Sequence, residues 1–182
     1  RTVPGLAGFV LSEAVQDSAA AAPGAPYGER FDGIAHSWYP AAQTLRAGMA
    51  DPQSRALLAD GDLFIDRDAS RNFLVREQIV VPVSRAEGGL KRTELLVRKP
   101  GLTHEQFVER WTTTHAAMAQ CVPGLIGCVF NRIETAMGSQ SPEGEIDGIA
   151  ETWWDTGDVD LGGRVASPQA SAWAADGDLF ID

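Results

Sequence analysis

Three side chains stand out as able to move protons, and each has a tryptophan at a spacing that would bring it close. His115 follows Trp111 and Phe107 at intervals of four, so the three share one face of a helix, a face expected to look towards a sheet. A half-buried imidazole there could act as a general acid or base near neutral pH, ligate a metal or haem, or hold the helix through a hydrogen bond to a neighbouring carbonyl. The second constellation is a pair of short strands, Ala35-His36-Ser37-Trp38-Tyr39 and Ala150-Glu151-Thr152-Trp153-Trp154. Alternation puts His36 with Trp38, and Glu151 with Trp153, on one face of each strand. A base and a carboxylate beside aromatic walls suit an aromatic or polyketide-like ligand; the bland alternative is tryptophans in the core and a satisfied polar pair between domains.

Other polar residues carry less. Asn131 and Arg132 are consecutive on a strand, so one of the two at most faces a cavity; Asn131 is kept as a pocket residue. Arg98 could steer an acidic substrate from the rim, and His104, in the first turn of a helix, is expected to be solvent-exposed and without a role. No metal-ligand spacing, phosphate-cradling glycine loop or nucleophile elbow is recognisable, so no metal and no cofactor are expected.

The elements that must position these groups come in two copies. Asp60-Gly61-Asp62-Leu63-Phe64-Ile65-Asp66 returns as Asp176 to Asp182, the same seven residues. Upstream, Asp51-Pro52-Gln53 answers Ser167-Pro168-Gln169, Asp32-Gly33-Ile34-Ala35 answers Asp147-Gly148-Ile149-Ala150, and Val3-Pro4-Gly5-Leu6 answers Val122-Pro123-Gly124-Leu125. The order is kept and the interval changes only between blocks, where loops belong, so the chain reads as a tandem duplication of one domain and not as a solenoid. The copies are unequal: residues 1–84 form a first unit lacking its first strand and helix, 85–90 a linker, and 91–182 a second unit lacking its last strand. With Arg1 in place of Met, this unevenness leads us to expect a trimmed or partly represented longer parent.

The elements follow from local signals. Leu6 to Glu13 and Ile34 to Tyr39 read as strands paired across a Gly/Ala/Pro-rich loop over 16–29, and 41–59 as a helix broken at Asp51, with Pro52 at the first helical position. Leu63, Phe64 and Ile65 are expected to tuck into the core, and Asn72 to Val83 to form a strand that Pro82 confines to an edge. In the second copy, Thr93 to Lys99 is a strand. A helix then opens at Thr103 with Gln106 completing a capping box and Leu102 stapling Phe107, and runs to about Cys121. Strands follow over 125–134 and 148–155, with a polar loop over 136–145 between them. Overlaid, the copies give strand, helix, strand, strand, helix, strand: an α+β, ferredoxin-like unit. Two such antiparallel sheets packed face to face would close an α/β barrel, an intramolecular pseudo-dimer.

Composition narrows the function. The 182 residues carry a formal charge of −10, and Lys and Arg are scattered, which argues against a nucleic-acid surface. No apolar run approaches the roughly 18 residues of a membrane span. Cys121 and Cys128 are expected to be buried free thiols, as in a reducing cytoplasm.

The run Lys99 to Met118, followed by the VPGL block, Asp147-Gly148-Ile149-Ala150-Glu151 and the closing Phe180-Ile181-Asp182, resembles the EthD family of the dimeric α/β-barrel superfamily. One departure is that His115 is followed by Ala116-Ala117 where the family commonly has Gly-Pro. The resemblance implies a small cofactor-free protein on a fold that hosts monooxygenases, cyclases, isomerases and haem enzymes. The reading is therefore a cofactor-free enzyme acting on a small aromatic or polyketide-like compound by acid–base chemistry. His115, His36 and Glu151 would move protons, and Trp38, Trp111, Trp153, Asn131 and Arg98 would line the pocket. A non-catalytic carrier for a small hydrophobic ligand and a haem-handling barrel remain alternatives, and a homodimer is open.

Overall fold

A computed structural model describes residues 3–14, 31–83, 90–137, 146–155 and 167–182. The loop expected over 16–29 and the linker glycines Gly88 and Gly89 lie outside the described residues. The chain divides into two compact units, Arg1–Ser70 and Arg71–Asp182. None of the described helices is long and apolar enough to cross a membrane.

The first unit contains strands β1 (Gly8–Glu13) and β2 (Gly33–Trp38) and helices α1 (Ala42–Ala50) and α2 (Pro52–Gly61). The strands pair antiparallel from Gly8 opposite Trp38 to Glu13 opposite Gly33, the hairpin that their alternation implied. The helical stretch breaks at Asp51, whose carboxylate accepts the Gln53 amide at 2.8 Å while Pro52 occupies a first-turn position. Leu63 and Phe64 are 82% and 76% exposed and Ile65 is exposed too, so these residues do not tuck into a core. Among the described residues the core cluster has no member in this unit, so these side chains meet no buried apolar surface there.

The second unit holds β3 (Asn72–Val81), β4 (Leu90–Leu96), α3 (His104–Arg110), a π-helical turn (Trp111–His115), α4 (Ala116–Ala119), β5 (Leu125–Met137), β6 (Gly148–Trp154) and α5 (Pro168–Gly177). Its four strands are antiparallel in the order β3-β5-β6-β4. Strand β4, helix α3, strands β5 and β6 and helix α5 follow one another as in a ferredoxin-like unit. The sequence duplication assigns Asn72–Val81 to the first copy; its hydrogen-bond partner is β5, in the second. There it forms a sheet edge, and Pro82, which has no amide to donate, follows its last residue.

Capping Thr103 opens α3 as expected: its hydroxyl accepts the Gln106 amide at 3.2 Å, and the Gln106 side chain accepts the Thr103 amide at 2.9 Å. The helix does not run uninterrupted to Cys121, because it widens into the π turn. Thr112 and Thr113 donate their hydroxyls to the carbonyls of Val108 and Glu109, four residues back, at 2.7 and 2.6 Å, which competes with regular α bonding. Two carbonyls of the turn take side-chain donors from neighbouring elements, Thr112 from Gln78 Nε2 on β3 and His115 from Trp173 Nε1 on α5. The turn is thus held from two sides. Helix α5 is capped by Ser167, which accepts the Ala170 amide at 3.0 Å.

The core lies on one face of this sheet. Trp111 and Phe107 are fully buried, Trp111 stacks on Phe130 of β5 with ring centroids 4.6 Å apart, and Phe107 packs on Phe180 at 5.6 Å. Cross-strand register fixes the other face: Val129 lies opposite Glu151, and Glu151 opposite Thr93. Strand β5 is longer than the sequence suggested, taking Ala136 and Met137 from the expected loop. Cys128 is buried in it, and Cys121 is exposed at the turn after α4, not buried as expected.

Candidate functional site

The sheet of the second unit separates the candidate residues. Period-two alternation places Phe130 and Ala150 on the helix-covered face, and their neighbours Val129, Asn131, Glu151 and Trp153 on the opposite one. His115 and Glu151 therefore do not share a site. Trp111, expected to shape the pocket, is core on the helix side.

On that helix side His115 is enclosed by aromatic rings. Trp173 stacks on it at 5.0 Å, Phe130 at 6.1 Å, and Phe180 meets it edge-on at 5.2 Å. Its Nδ1 bonds Asp176 Oδ2 at 2.9 Å, and the other oxygen of Asp176 takes the guanidinium of Arg110. Burial pulls the imidazole pKa down, and this outweighs the opposite pull of Asp176, so the ring is neutral with the proton on Nδ1. For Asp176, burial pushes the carboxyl up, but hydrogen bonds from Arg110 and His115 hold it, on balance, below the usual range. The dyad is geometrically that of a carboxylate orienting a neutral histidine. Both ring faces are covered, so it ties the π turn to α5.

Asp147 organises a second cluster. Only 2% of its side chain is exposed, and it accepts the Arg98 amide at 2.8 Å, the Arg98 guanidinium, and Nδ1 of His104 at 3.1 Å. Arg98 also donates Nε to the Leu102 carbonyl. The arginine expected on a pocket rim is thus a clamp between the end of β4 and Asp147, the residue that leads into β6. His104, expected to be solvent-exposed and without a role, is half-exposed and part of the clamp.

On the opposite face the sheet presents a polar constellation. Glu151 and Asn131 are 4% and 3% exposed, and Asn131 Nδ2 donates to Glu151 Oε2 at 3.0 Å. Lys91 on β4 ion-pairs with Glu151 Oε1, and its ammonium lies 5.2 Å from the Trp153 ring centroid. Of Asn131 and Arg132, Asn131 is the one beside Glu151, while Arg132 pairs with Glu134 at 2.7 Å. A carboxylate and an ammonium in contact beside an indole wall can take a proton from carbon and stabilise the negative charge left on oxygen.

His36 and Trp38 stand in the first unit and share a face as their alternation implied, with rings stacked at 6.0 Å. Lys91, Arg110, Trp173 and Asp176 escaped the sequence reading. Lys91 alternates with Thr93, which would have put it on the Glu151 face had the register been known. Asp176 opens the repeated heptapeptide, and that repetition was a signal in itself.

An antiparallel sheet covered on one face by helices in this order is a ferredoxin-like α+β unit. The EthD domain model matches residues 6–68 and 99–182, with one heptapeptide near the end of each stretch. The chain belongs to the EthD family, with its domain represented twice. No curated protein matches it significantly.

Proposed function

We propose that this EthD chain is a cofactor-free enzyme for a small aromatic or polyketide-like compound, and that its acid–base chemistry is done by Glu151 and Lys91. The observation that supports this is the buried Glu151 carboxylate, held between the Lys91 ammonium and the Asn131 amide beside Trp153. Such a pair suits abstraction of a proton next to a carbonyl: Glu151 takes the proton, Lys91 stabilises the enolate oxygen, and the indole stacks on the substrate ring. Asn131 fixes the carboxylate in one rotamer. Aldol-type cyclisation, elimination of a β-hydroxyl group and migration of a double bond next to a carbonyl can each begin with this step.

The test is hydrogen–deuterium exchange at the acidic carbon of a panel of aromatic β-dicarbonyl compounds, followed by NMR. The wild-type chain should accelerate exchange, and Glu151→Gln should lose about 100-fold or more of that acceleration. Exchange equal in the two proteins would remove Glu151 from the reaction.

One observation favours a carrier instead: both charged groups are already engaged, Glu151 by Lys91 and Asn131 and Lys91 by Glu151 and the Trp153 ring, so a ligand can lie against the indole without drawing on either. In that reading compounds of the panel bind saturably, are recovered unaltered, and show no accelerated exchange.

A further inference from the structure

On the reading of Glu151 and Lys91 as the proton-moving pair, we propose that Gly127 is a positioning residue for their site. By carrying no side chain it fixes the place of the Trp153 indole and, through the indole, of the Lys91 ammonium.

Gly127 stands opposite Trp153 in the ladder between β5 and β6, and β5 carries an extra residue immediately before it, a bulge between Leu125 and Gly127. Bulges of this kind re-aim the side chains beside them. A Cβ built on Gly127 would fall 3.2 Å from Trp153 Cε3, inside the relaxed carbon–carbon separation of about 3.5–4.0 Å. The six-membered edge of the indole therefore lies over the glycine. On the other side of β6, Lys91 is the register partner of Trp153, with its ammonium 5.2 Å from the ring centroid. Gly127, Trp153 and Lys91 thus form one row across three strands, and the last of them ion-pairs with Glu151. Where the ammonium sits beside the carboxylate depends on the indole, and where the indole sits depends on the glycine.

The duplication supplies an independent instance of the same seat. Gly8 answers Gly127 and Trp38 answers Trp153 when the two copies are aligned. Gly8 is the register partner of Trp38 in the first unit, and a Cβ built on it would lie 3.3 Å from Trp38 Cε3. The neighbouring positions have changed, with His36 answering Glu151 and Ser12 answering Asn131. A glycine inside a strand gives up side-chain packing and costs conformational freedom, so its presence under the same indole atom in both copies fits a close approach that a side chain would block.

Gly127 has a second close neighbour, because its Cβ would also lie 3.1 Å from Val83 Cα. Loss of stability in Gly127→Ala therefore does not by itself report on the indole, and the test reads the lysine.

Lys91 and Lys99 are the two lysines of the chain, so carbon-13 labelling of the lysine ε-carbon gives two NMR signals, with Lys99, whose ammonium bonds the Asp178 carbonyl, as the reference. The ring current of the indole should shift the Lys91 signal upfield, and Trp153→Leu should abolish that shift. Gly127→Ala should move the signal most of the way to its position in Trp153→Leu, and should lower kcat/KM for the exchange reaction about tenfold. Trp153→Phe removes the fused edge that lies over the glycine, so Gly127→Ala should cost less stability in that background than in the wild-type chain, and should be rescued by it if the single variant does not fold. A Lys91 signal unchanged by Gly127→Ala would overturn the proposal. So would an equal cost, or no rescue, in the Trp153→Phe background, which would assign the glycine to Val83 alone. A wild-type chain that shows the Lys91 shift and loses it in Gly127→Ala, yet does not accelerate exchange, would remove Glu151 as the base and still support the hold of Gly127 on the indole.

Discussion

Asp176 Oδ2 and His115 Nδ1 are 2.9 Å apart, and this bond joins the π turn to the last turn of α5 between the aromatic rings of Trp173 and Phe130. It makes the stability of the second unit depend on pH. Burial lowers the folded pKa of His115 below its ordinary 6.5, so on acidification the unfolded chain takes the proton first. Its contribution is complete above about pH 6.5 and declines as pH falls from there to the folded value. Asp176 acts in a lower window, because its folded pKa lies below 3.8 and its contribution disappears as pH falls through that lowered value. Urea midpoints measured from about pH 8 to pH 5 should drop for the wild-type chain and be less stable but flat for His115→Gln. Equal slopes in the two proteins would place the titration elsewhere.

Asp147 serves three donors from one buried position, and removing it strands them together. Asp147→Ala should cost about 3 kcal/mol, the lower end expected for breaking a buried ion pair because Arg98 is partly exposed. His104→Ala, at a half-exposed position, should cost under about 1 kcal/mol. Denaturant unfolding distinguishes the two, and equal small losses would mean that the clamp is not stabilising.

Gly148 opens β6 and Gly101 lies in the turn before α3, and each is a glycine for a different reason. A Cβ at Gly148 would fall 2.4 Å from Trp111 Cζ3, whereas Gly101 has open space around it and a φ of +92°. Gly148→Ala should therefore cost about 2–3 kcal/mol through overpacking, with altered tryptophan fluorescence. Gly101→Ala should cost about 1 kcal/mol through backbone strain and leave the fluorescence unchanged.

The two thiols should separate cleanly in a labelling experiment. Cys121 is exposed, while Cys128 is buried and its pKa is pushed up to about 12 by burial and by the nearby charge of Glu94. A thiol reagent at neutral pH should modify one cysteine per native chain and two after denaturation. Rapid modification of both in the native protein would contradict the packing of β5.

The duplication, the capped helix at Thr103, the helix break at Asp51-Pro52 and the strand alternation were legible in the sequence, because each depends on residues adjacent in the chain or on direct repetition. A hydroxyl three residues from a glutamine, or a proline after an aspartate, acts over one turn and needs no partner from elsewhere. The same locality explains why His36 with Trp38, and Asn131 rather than Arg132 beside Glu151, could be narrowed by alternation.

Tertiary structure decided what those residues do. Phe64 and Phe180 sit in identical heptapeptides, yet one is exposed and the other buried, because only Phe180 meets Phe107 and His115. His115 and Glu151 were both expected to move protons and lie on opposite faces of one sheet, a separation set by the register of β5 against β6. Arg98 became a clamp and Lys91 an ion-pair partner through contacts spanning dozens of residues. Periodicity assigns a side chain to a face, but which elements meet that face follows from how strands align and helices dock, and that is settled only when the chain closes on itself.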